Sequence, residues 1–150
     1  MSKITDVVYL TIDSTKSVLS RIDADDDSNI NELFSKAIMA VVALVLREGE
    51  DIGKSEYDYY ILLCQRFKTK PFTKDAMKNL DEKIVLGLFK EAMNEINIVF
   101  RKHKLDFEGV KVPIETILFG ISALDYGYSE EKEDLLNEVE EILLDINRIA

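Results

Sequence analysis

Apolar positions near the start of the chain recur at intervals of three and four residues, the period of a helix that buries one face. The first such segment predicts a helix from about Ile4 to Arg21. The second predicts a helix over Ile30–Arg47 that Ser28 or Asn29 could cap, with Asn29 and Glu32 spaced as a capping box. Its apolar positions cover more than one face, so we expect this helix to be central and mostly buried.

Capping residues and breaks divide the middle of the chain. Ser55 is expected to cap a third helix that reaches about Phe67. Thr73 is expected to cap a segment that is helical by pattern over 74–102, with a break near 79–81. Two amphipathic helical segments are therefore expected here, the second of them interrupted.

The last part of the chain predicts two further helices. After a loop over 103–112, Pro113 is expected to open a helix over 114–124, because proline suits the first helical turn. Ser129 is expected to cap a final helix that ends near Arg148. No segment alternates with the period of a strand, so the sequence predicts an all-α, single-domain bundle of six to seven helices over residues 1–150.

Composition and charge narrow the classes of function. The chain has 150 residues, of which 47% are hydrophobic and 32% charged, as in a globular domain that can bury a core. Its formal net charge of −10 repels phosphates, so we expect no nucleic-acid partner and no binding to anionic membranes. The longest uncharged apolar stretch, 37–46, is about half as long as a membrane span requires, and no leader is apparent. We therefore expect a cytoplasmic protein without membrane insertion. A surface this acidic suits cations, basic protein partners, or solubility alone.

Two stretches of the chain share one order of features. Each has an apolar helix, an acidic turn with glycine, a Ser-Glu pair and an amphipathic helix. The first passes through Glu48-Gly49 and Ser55-Glu56, and the second is Leu124-Asp125-Tyr126-Gly127-Tyr128-Ser129-Glu130-Glu131. Glycine permits such a turn, and serine can accept hydrogen bonds from the free amides of the next helix. The pattern predicts two pseudo-repeated helix-turn-helix units.

This doubled pattern, in a chain of this size, resembles the TerB-like family of tellurite-resistance proteins. The resemblance extends over about residues 31–146. It implies an all-helical, non-enzymatic protein of stress-response systems, whose acidic clusters bind a divalent metal ion or partner proteins. The turn departs from the family's usual Ala-Asp-Gly, because Tyr126 separates Asp125 from Gly127.

The acidic residues of the two turns are candidate metal ligands. If the turns meet in space, their carboxylates could share a hard cation, calcium or magnesium, through oxygen ligands. The candidate ligands are Glu48, Asp51, Glu56, Asp125, Glu130 and Glu131. The alternative is that these acids only stabilise helix N-termini, where the helix dipole favours negative charge.

A second acidic stretch has part of a calcium-loop pattern. Asp23, Asp25 and Asp27 have the spacing of its first, third and fifth positions. Glycine is missing at the sixth position, which is Ser28, and the bidentate glutamate is missing at the twelfth, which is Phe34. A solvated acidic linker is the favoured interpretation.

Catalytic signatures are scarce. Cys64 lies in an apolar run and is expected to be a buried hydrophobe, as is the nearby Tyr60, whereas Tyr57 could pack or form a binding surface. His103, the only histidine, follows basic residues at the end of a predicted helix and suits its C-terminus. Zinc binding by cysteine and histidine is therefore not expected.

Three hypotheses about function follow. The first is a non-enzymatic acidic helical interaction or scaffold protein. It would bind a partner protein that has a basic surface, with a divalent cation assisting the binding. The alternative is a small acidic antagonist, of the immunity or phage-inhibitor kind, that neutralises a basic partner by charge complementarity. The third is an enzyme whose site the sequence does not show.

Overall fold

The computed structural model describes residues 3–48, 52–124 and 130–148, with the side chains of residues 123 and 124 excepted. Within these ranges the chain forms seven helices and no strand, so the all-α prediction is confirmed. The helices are α1 (Lys3–Asp26), α2 (Ile30–Arg47), α3 (Lys54–Phe67), α4 (Lys74–Lys78), α5 (Glu82–Lys102), α6 (Glu108–Leu124) and α7 (Glu130–Arg148). The turns that would define the pseudo-repeat fall largely at 49–51 and 125–129, outside the described residues.

Helix α2 forms the centre of the bundle, as its apolar pattern predicts. Its bounds are those expected from the sequence, and 11 of its 18 residues are buried. It contacts each of the other six helices and packs most extensively against α5. Ile38, Met39 and Val41 are all buried although, at about 100° per residue, they point to different sides of the helix.

The N-terminus of α2 is capped from the preceding helix, so the predicted capping box is wrong. The Asn29 side chain makes no capping hydrogen bond, and Glu32 pairs instead with Lys36, at 2.7 Å. Helix α1 continues beyond the predicted Arg21 to Asp26. The extra turn places the Asp23 carboxylate where it accepts hydrogen bonds from the backbone amides of residues 30 and 31, at 2.7 and 3.0 Å.

Helix α3 begins at Lys54, two residues earlier than a cap at Ser55 requires. Gly53 is the N-cap residue and makes no side-chain hydrogen bond, while Ser55 lies inside the first turn and is exposed. The prediction that Ser55 caps this helix is therefore wrong. The predicted end at Phe67 is confirmed, and Lys68 closes the helix in the left-handed conformation with φ of 60°.

The predicted break in the fourth segment is confirmed. Thr73 caps α4, because its hydroxyl accepts a hydrogen bond from the Ala76 amide at 3.1 Å. Asp81 caps α5 in the same way, accepting from the Ile84 amide at 3.1 Å. Two side-chain caps so close together end one helix and start another within a few residues.

Helix α6 begins well before Pro113, so both the long loop and the proline start are wrong. The Asp106 carboxylate accepts a hydrogen bond from the Glu108 amide at 3.0 Å and starts the helix there. Phe107 and Val110 are buried and extend the apolar period of the helix backwards. Pro113 lies inside the helix, where it lacks the N–H that would bond to residue 109 and where its ring crowds the carbonyl of that residue.

The two terminal helices close the bundle. Helix α6 packs mainly on α1, and α7 packs on α5 and α6. Leu135, Val139, Leu143 and Ile146 form the buried side of α7, which ends at the predicted Arg148. Ser129, predicted to cap this helix, lies outside the described residues.

None of the helices is apolar over a length sufficient to span a membrane, among the residues searched.

Candidate functional site

The first acidic turn starts at the end of α2, where basic and acidic groups are already in contact. Glu48 is the C-cap residue of α2, and its Oε1 lies 3.8 Å from Arg47 Nε. The Arg47 guanidinium donates to the backbone carbonyls of Met77 and Lys78 at 3.3 Å each, and to that of Leu80. Arg47 therefore ties the end of α2 to backbone carbonyl groups at the end of α4 and in the segment that follows it.

Charged groups at the beginning of α7 also act on Glu48. Burial raises the pKa of Glu48, and the charges of Glu82 and Glu131 raise it further. Arg47 and Lys132, whose positive charges lower the pKa of Glu48, oppose this effect. Lys132 is buried, with 7% of its surface exposed, so a cationic group already lies beside these acids.

The other candidate ligands are positioned at helix starts. Glu56 lies in the first turn of α3, and Glu130 and Glu131 lie in the first turn of α7. Asp51 and Asp125 lie outside the described residues. Among the residues that are described, no group of three or more acidic, histidine or cysteine side chains is arranged to hold a metal ion. The six-residue cation site stays a prediction.

The acidic stretch before α2 is not a loop, which contradicts its interpretation as a linker or a calcium loop. Asp23 and Asp25 belong to α1, and Asp27 follows with a left-handed φ of 54°. The Asp23 carboxylate is occupied by two α2 amides and by the Ser28 hydroxyl at 2.6 Å. Its oxygens serve as a helix cap, because a carboxylate there satisfies amides and complements the helix dipole.

A small ionic cluster joins the ends of α1 and α5. Asp26 Oδ1 lies 3.1 Å from Lys102 Nζ and 3.2 Å from His103 Nε2. The hydrogen bond from Lys102 is the main reason that the pKa of Asp26 is lowered. His103 is the C-cap residue of α5, which confirms its predicted place at a helix C-terminus.

The cysteine and two of the tyrosines of α3 are buried or hydrogen-bonded within the fold. Cys64 is 1% exposed, and burial raises the pKa of its thiol, so the predicted buried hydrophobe is confirmed. Tyr60 is fully buried as predicted, and its hydroxyl accepts a hydrogen bond from the Phe72 amide at 3.0 Å. The Tyr57 hydroxyl donates to the Phe72 carbonyl at 2.8 Å. Both tyrosines therefore anchor the segment between α3 and α4.

An apolar groove between α2 and α5 is the surface feature that the sequence analysis missed. Its volume is about 550 Å³. Small and large apolar side chains of both helices line it, among them Leu33, Ala37 and Ala40 from α2, and Ile84, Leu88 and Ala92 from α5. Ile84 is 62% exposed and Leu88 is 60% exposed. Their spacing matches a buried helix face, so the sequence alone does not separate them from the core.

The groove has acidic groups along its α5 edge. Glu91 and Glu95, one helical turn apart, line it together with Asp81, the N-cap residue of α5. Lys36 lines the opposite edge and is paired with Glu32 at 2.7 Å. The arrangement can bind an apolar ligand that has positive charge on one side.

Comparison of the sequence with protein-family models, with curated proteins and with solved structures found no match. The resemblance to the TerB-like family therefore stays a prediction.

Proposed function

We propose that this chain is a non-enzymatic, acidic helical interaction protein that binds a protein partner with a basic surface. The observation that carries the proposal is the groove between α2 and α5, where Ile84 and Leu88 remain more than half exposed. Contiguous exposed apolar surface with charged residues at its edge is typical of binding sites. Exposing it in the free protein is unfavourable, and a partner that covers it recovers that free energy.

Charge supports the choice of a basic partner. The whole chain has a formal net charge of −10, and Glu91 and Glu95 add local negative charge at the groove. Complementary charges speed encounter and exclude partners of the same sign. Binding should therefore weaken as salt concentration rises, since salt screens exposed charges.

Affinity capture with a matched pair of variants tests this proposal. Ile84→Ser/Leu88→Ser makes the groove polar, whereas Phe119→Ser changes an α6 side chain that is 75% exposed and lies outside the groove. In extracts of the source cells, a basic protein should be retained by the wild type and by Phe119→Ser and lost with the double variant. Equal retention by all three proteins, or retention of no protein, would contradict the proposal. Circular dichroism melts confirm that each variant is folded.

The proposal includes a divalent cation, calcium or magnesium, at the two acidic turns. What supports it is that the charge of Glu131, beside the second turn, raises the pKa of Glu48, at the first turn, although the charge of Lys132 lowers it. A bound cation stabilises the native state by mass action, so calorimetric binding and a raised melting temperature should appear together and be lost in Glu48→Gln. If neither ion binds at millimolar concentration, these acids are helix caps and surface charges.

The alternative function is an acidic antagonist that neutralises a basic toxin or nuclease. The acidic edge of the groove favours this function as well, because it could cover a basic active surface. The activity of the captured partner distinguishes the two. An antagonist abolishes the activity of its partner at equimolar ratio, whereas a scaffold leaves that activity intact.

A further inference from the structure

Helix α2 has a single outward stripe, and that stripe forms one wall of the groove. Only Glu32 and Lys36 are exposed along the whole helix. Leu33, Ala37 and Ala40 lie beside them at helical spacing and are half-buried. The central helix of the bundle is therefore covered on every side except at this stripe, where two alanines leave room for the side chains of another element.

The dimensions of the groove suit an α-helix. Its α5 wall extends from Ile84 to Glu95, about three turns or roughly 16 Å. Its α2 wall, from Leu33 to Ala40, extends over about two turns. A partner helix of three to four turns could place apolar side chains three and four residues apart against these walls, as helices in apolar grooves do.

The backbone of the two walls also favours a helix over an extended strand. Both walls are helices, whose amide and carbonyl groups are bonded within the helix. A strand laid in the groove would find no backbone partners for its own amides, and leaving buried amides unpaired is costly. A helix brings its backbone already satisfied and offers only side chains.

Charge is distributed unequally on the two flanks of α5. By helical geometry, Glu91 and Glu95 lie on the flank that borders the groove, whereas Lys83, Lys90 and Arg101 lie on the opposite flank. Like charges one turn apart are unfavourable in a free helix. Within the described part of the chain, no cation pairs with either glutamate, so the edge has negative charge to offer a partner.

We infer that the α2–α5 groove binds one amphipathic helix of the partner protein, which inserts apolar side chains between Leu33, Ile84 and Leu88 and places lysine or arginine residues beside Glu91 and Glu95. The inference rests on the proposed interaction function and specifies its partner. A second copy of this chain fits less well. Its net charge is also −10, so a copy seated here would bring further negative charge to the same edge.

Defined peptides test the inference. The probe is a fluorescein-labelled peptide of about four turns with leucines at helical spacing and lysines along one flank. One control has the same composition in an order that gives no apolar face, and the other has glutamate in place of lysine. Anisotropy should show binding of the first peptide, and affinity for each control should be lower by about tenfold or more. Chemical-shift changes in the full chain should centre on Ala37, Ala40, Leu88 and Ala92.

Two charge-reversed variants distinguish attraction by the acidic edge of the groove from attraction by the net charge of the chain. Glu91→Lys/Glu95→Lys and Glu138→Lys/Glu141→Lys change the net charge equally, and the second pair is exposed on α7, away from the groove. Affinity for the basic amphipathic peptide should fall by about tenfold in the first variant and stay within about twofold of wild type in the second. Equal losses would overturn the inference, because attraction would then depend on net charge alone.

The remaining outcomes distinguish this inference from the proposed function. If a basic protein is captured through the groove but the reordered peptide binds as well as the amphipathic one, the interaction function stands and the helical occupant is wrong. If the amphipathic peptide binds in the groove but no basic protein is captured, the helix inference stands and the proposed function fails. A dimer in sedimentation that Leu88→Ser dissociates would replace the partner helix with a second copy and overturn the inference.

Discussion

Replacement of Gly120 tests how closely α1 and α6 pack. A Cβ atom added at Gly120 would lie 2.4 Å from Val8 Cγ2 and 3.5 Å from Ile4 Cγ2. The first distance is far below van der Waals contact, so one of the two helices or the valine must shift. Val8 is 1% exposed, and its branched side chain is stiff at χ1 in a helix, so it cannot swing aside easily.

Two opposing energetic effects decide whether Gly120→Ala raises or lowers the free energy of unfolding. Alanine is favoured over glycine in a helix by about 1 kcal/mol. Forcing an extra methyl into a packed interior costs about 1–3 kcal/mol. Taking the middle of that range, the free energy of unfolding should fall by about 1 kcal/mol, which lowers the melting temperature of a chain this long by about 2–4 °C.

Urea unfolding of a small set of variants measures these terms. Gly87→Ala in α5 is the matched control, because a Cβ there would meet nothing within 4 Å. It should stabilise the protein by about 0.5–1 kcal/mol through helix propensity alone. Val8→Ala should cost roughly 2 kcal/mol by itself, and in that background Gly120→Ala should become stabilising because the clashing methyl is gone.

The outcome that would refute this reasoning is specific. If Gly120→Ala is as stabilising as Gly87→Ala, α1 does not approach α6 closely at Gly120. If Gly120→Ala costs the same with and without Val8→Ala, the contact responsible is not with Val8. A double-mutant cycle with a coupling energy of about 2 kcal/mol supports the close approach, since coupling of this size is typical of residues in contact.

Three further perturbations address the cap, the buried thiol and the acidic turn. Asp23→Ala should lower the free energy of unfolding by about 2 kcal/mol in urea titrations, because it leaves two α2 amides without their carboxylate. Asp25→Ala, at an exposed position, is the control and should be nearly neutral. Equal effects would show that Asp23 is not the cap. Cys64 should react with a thiol reagent only after denaturation, since burial raises its pKa, and rapid labelling of the native protein would contradict this. The pKa of Glu48 is raised in the folded state, so ionising this carboxyl costs more free energy in the folded protein than in the unfolded chain. Stability is therefore lost as the pH rises from the pKa of glutamate in the unfolded chain to the raised pKa in the folded protein. Glu48→Gln should therefore be more stable than wild type at neutral pH and equal to it in acid, and a gain that grows in acid would be the wrong sign.

Much of the helical architecture could be predicted from the sequence because helix periodicity is a local property. The bounds of α2 and the ends of α3 and α7 follow from apolar spacing and from the residues that interrupt it. The break between α4 and α5 was also predictable, since Thr73 caps a short helix and Asp81 caps the next within a few residues.

Helix starts were less predictable where several residues could serve as the cap. Ser55 and Pro113 are favoured N-terminal residues, yet the helices begin earlier, at Lys54 and Glu108. In α6 the buried Phe107 and Val110 outweigh the local preference of proline for a first turn. Their spacing with the later apolar residues was a signal that could have placed the start correctly.

The candidate binding site was invisible in the sequence for a physical reason. Ile84 and Leu88 have the same spacing as buried residues of α5, and nothing local shows that the described helices leave them uncovered. Ala37 and Ala40 fit any helix face, and they line a groove only because α5 lies beside α2. The solvent exposure of a side chain depends on which elements pack around it and not on the residue itself.

The sequence by itself therefore determined the all-α class, the central place of α2 and the acidity of the surface, since these depend on composition and on spacing within single segments. Tertiary structure alone decided that Asp23 caps a helix other than its own, that Glu48 and Glu131 interact, and that the apolar stripe of α2 is left open. Each of these depends on distances between residues in different elements. Such distances are set by how the seven helices pack together, which no single segment of the chain specifies.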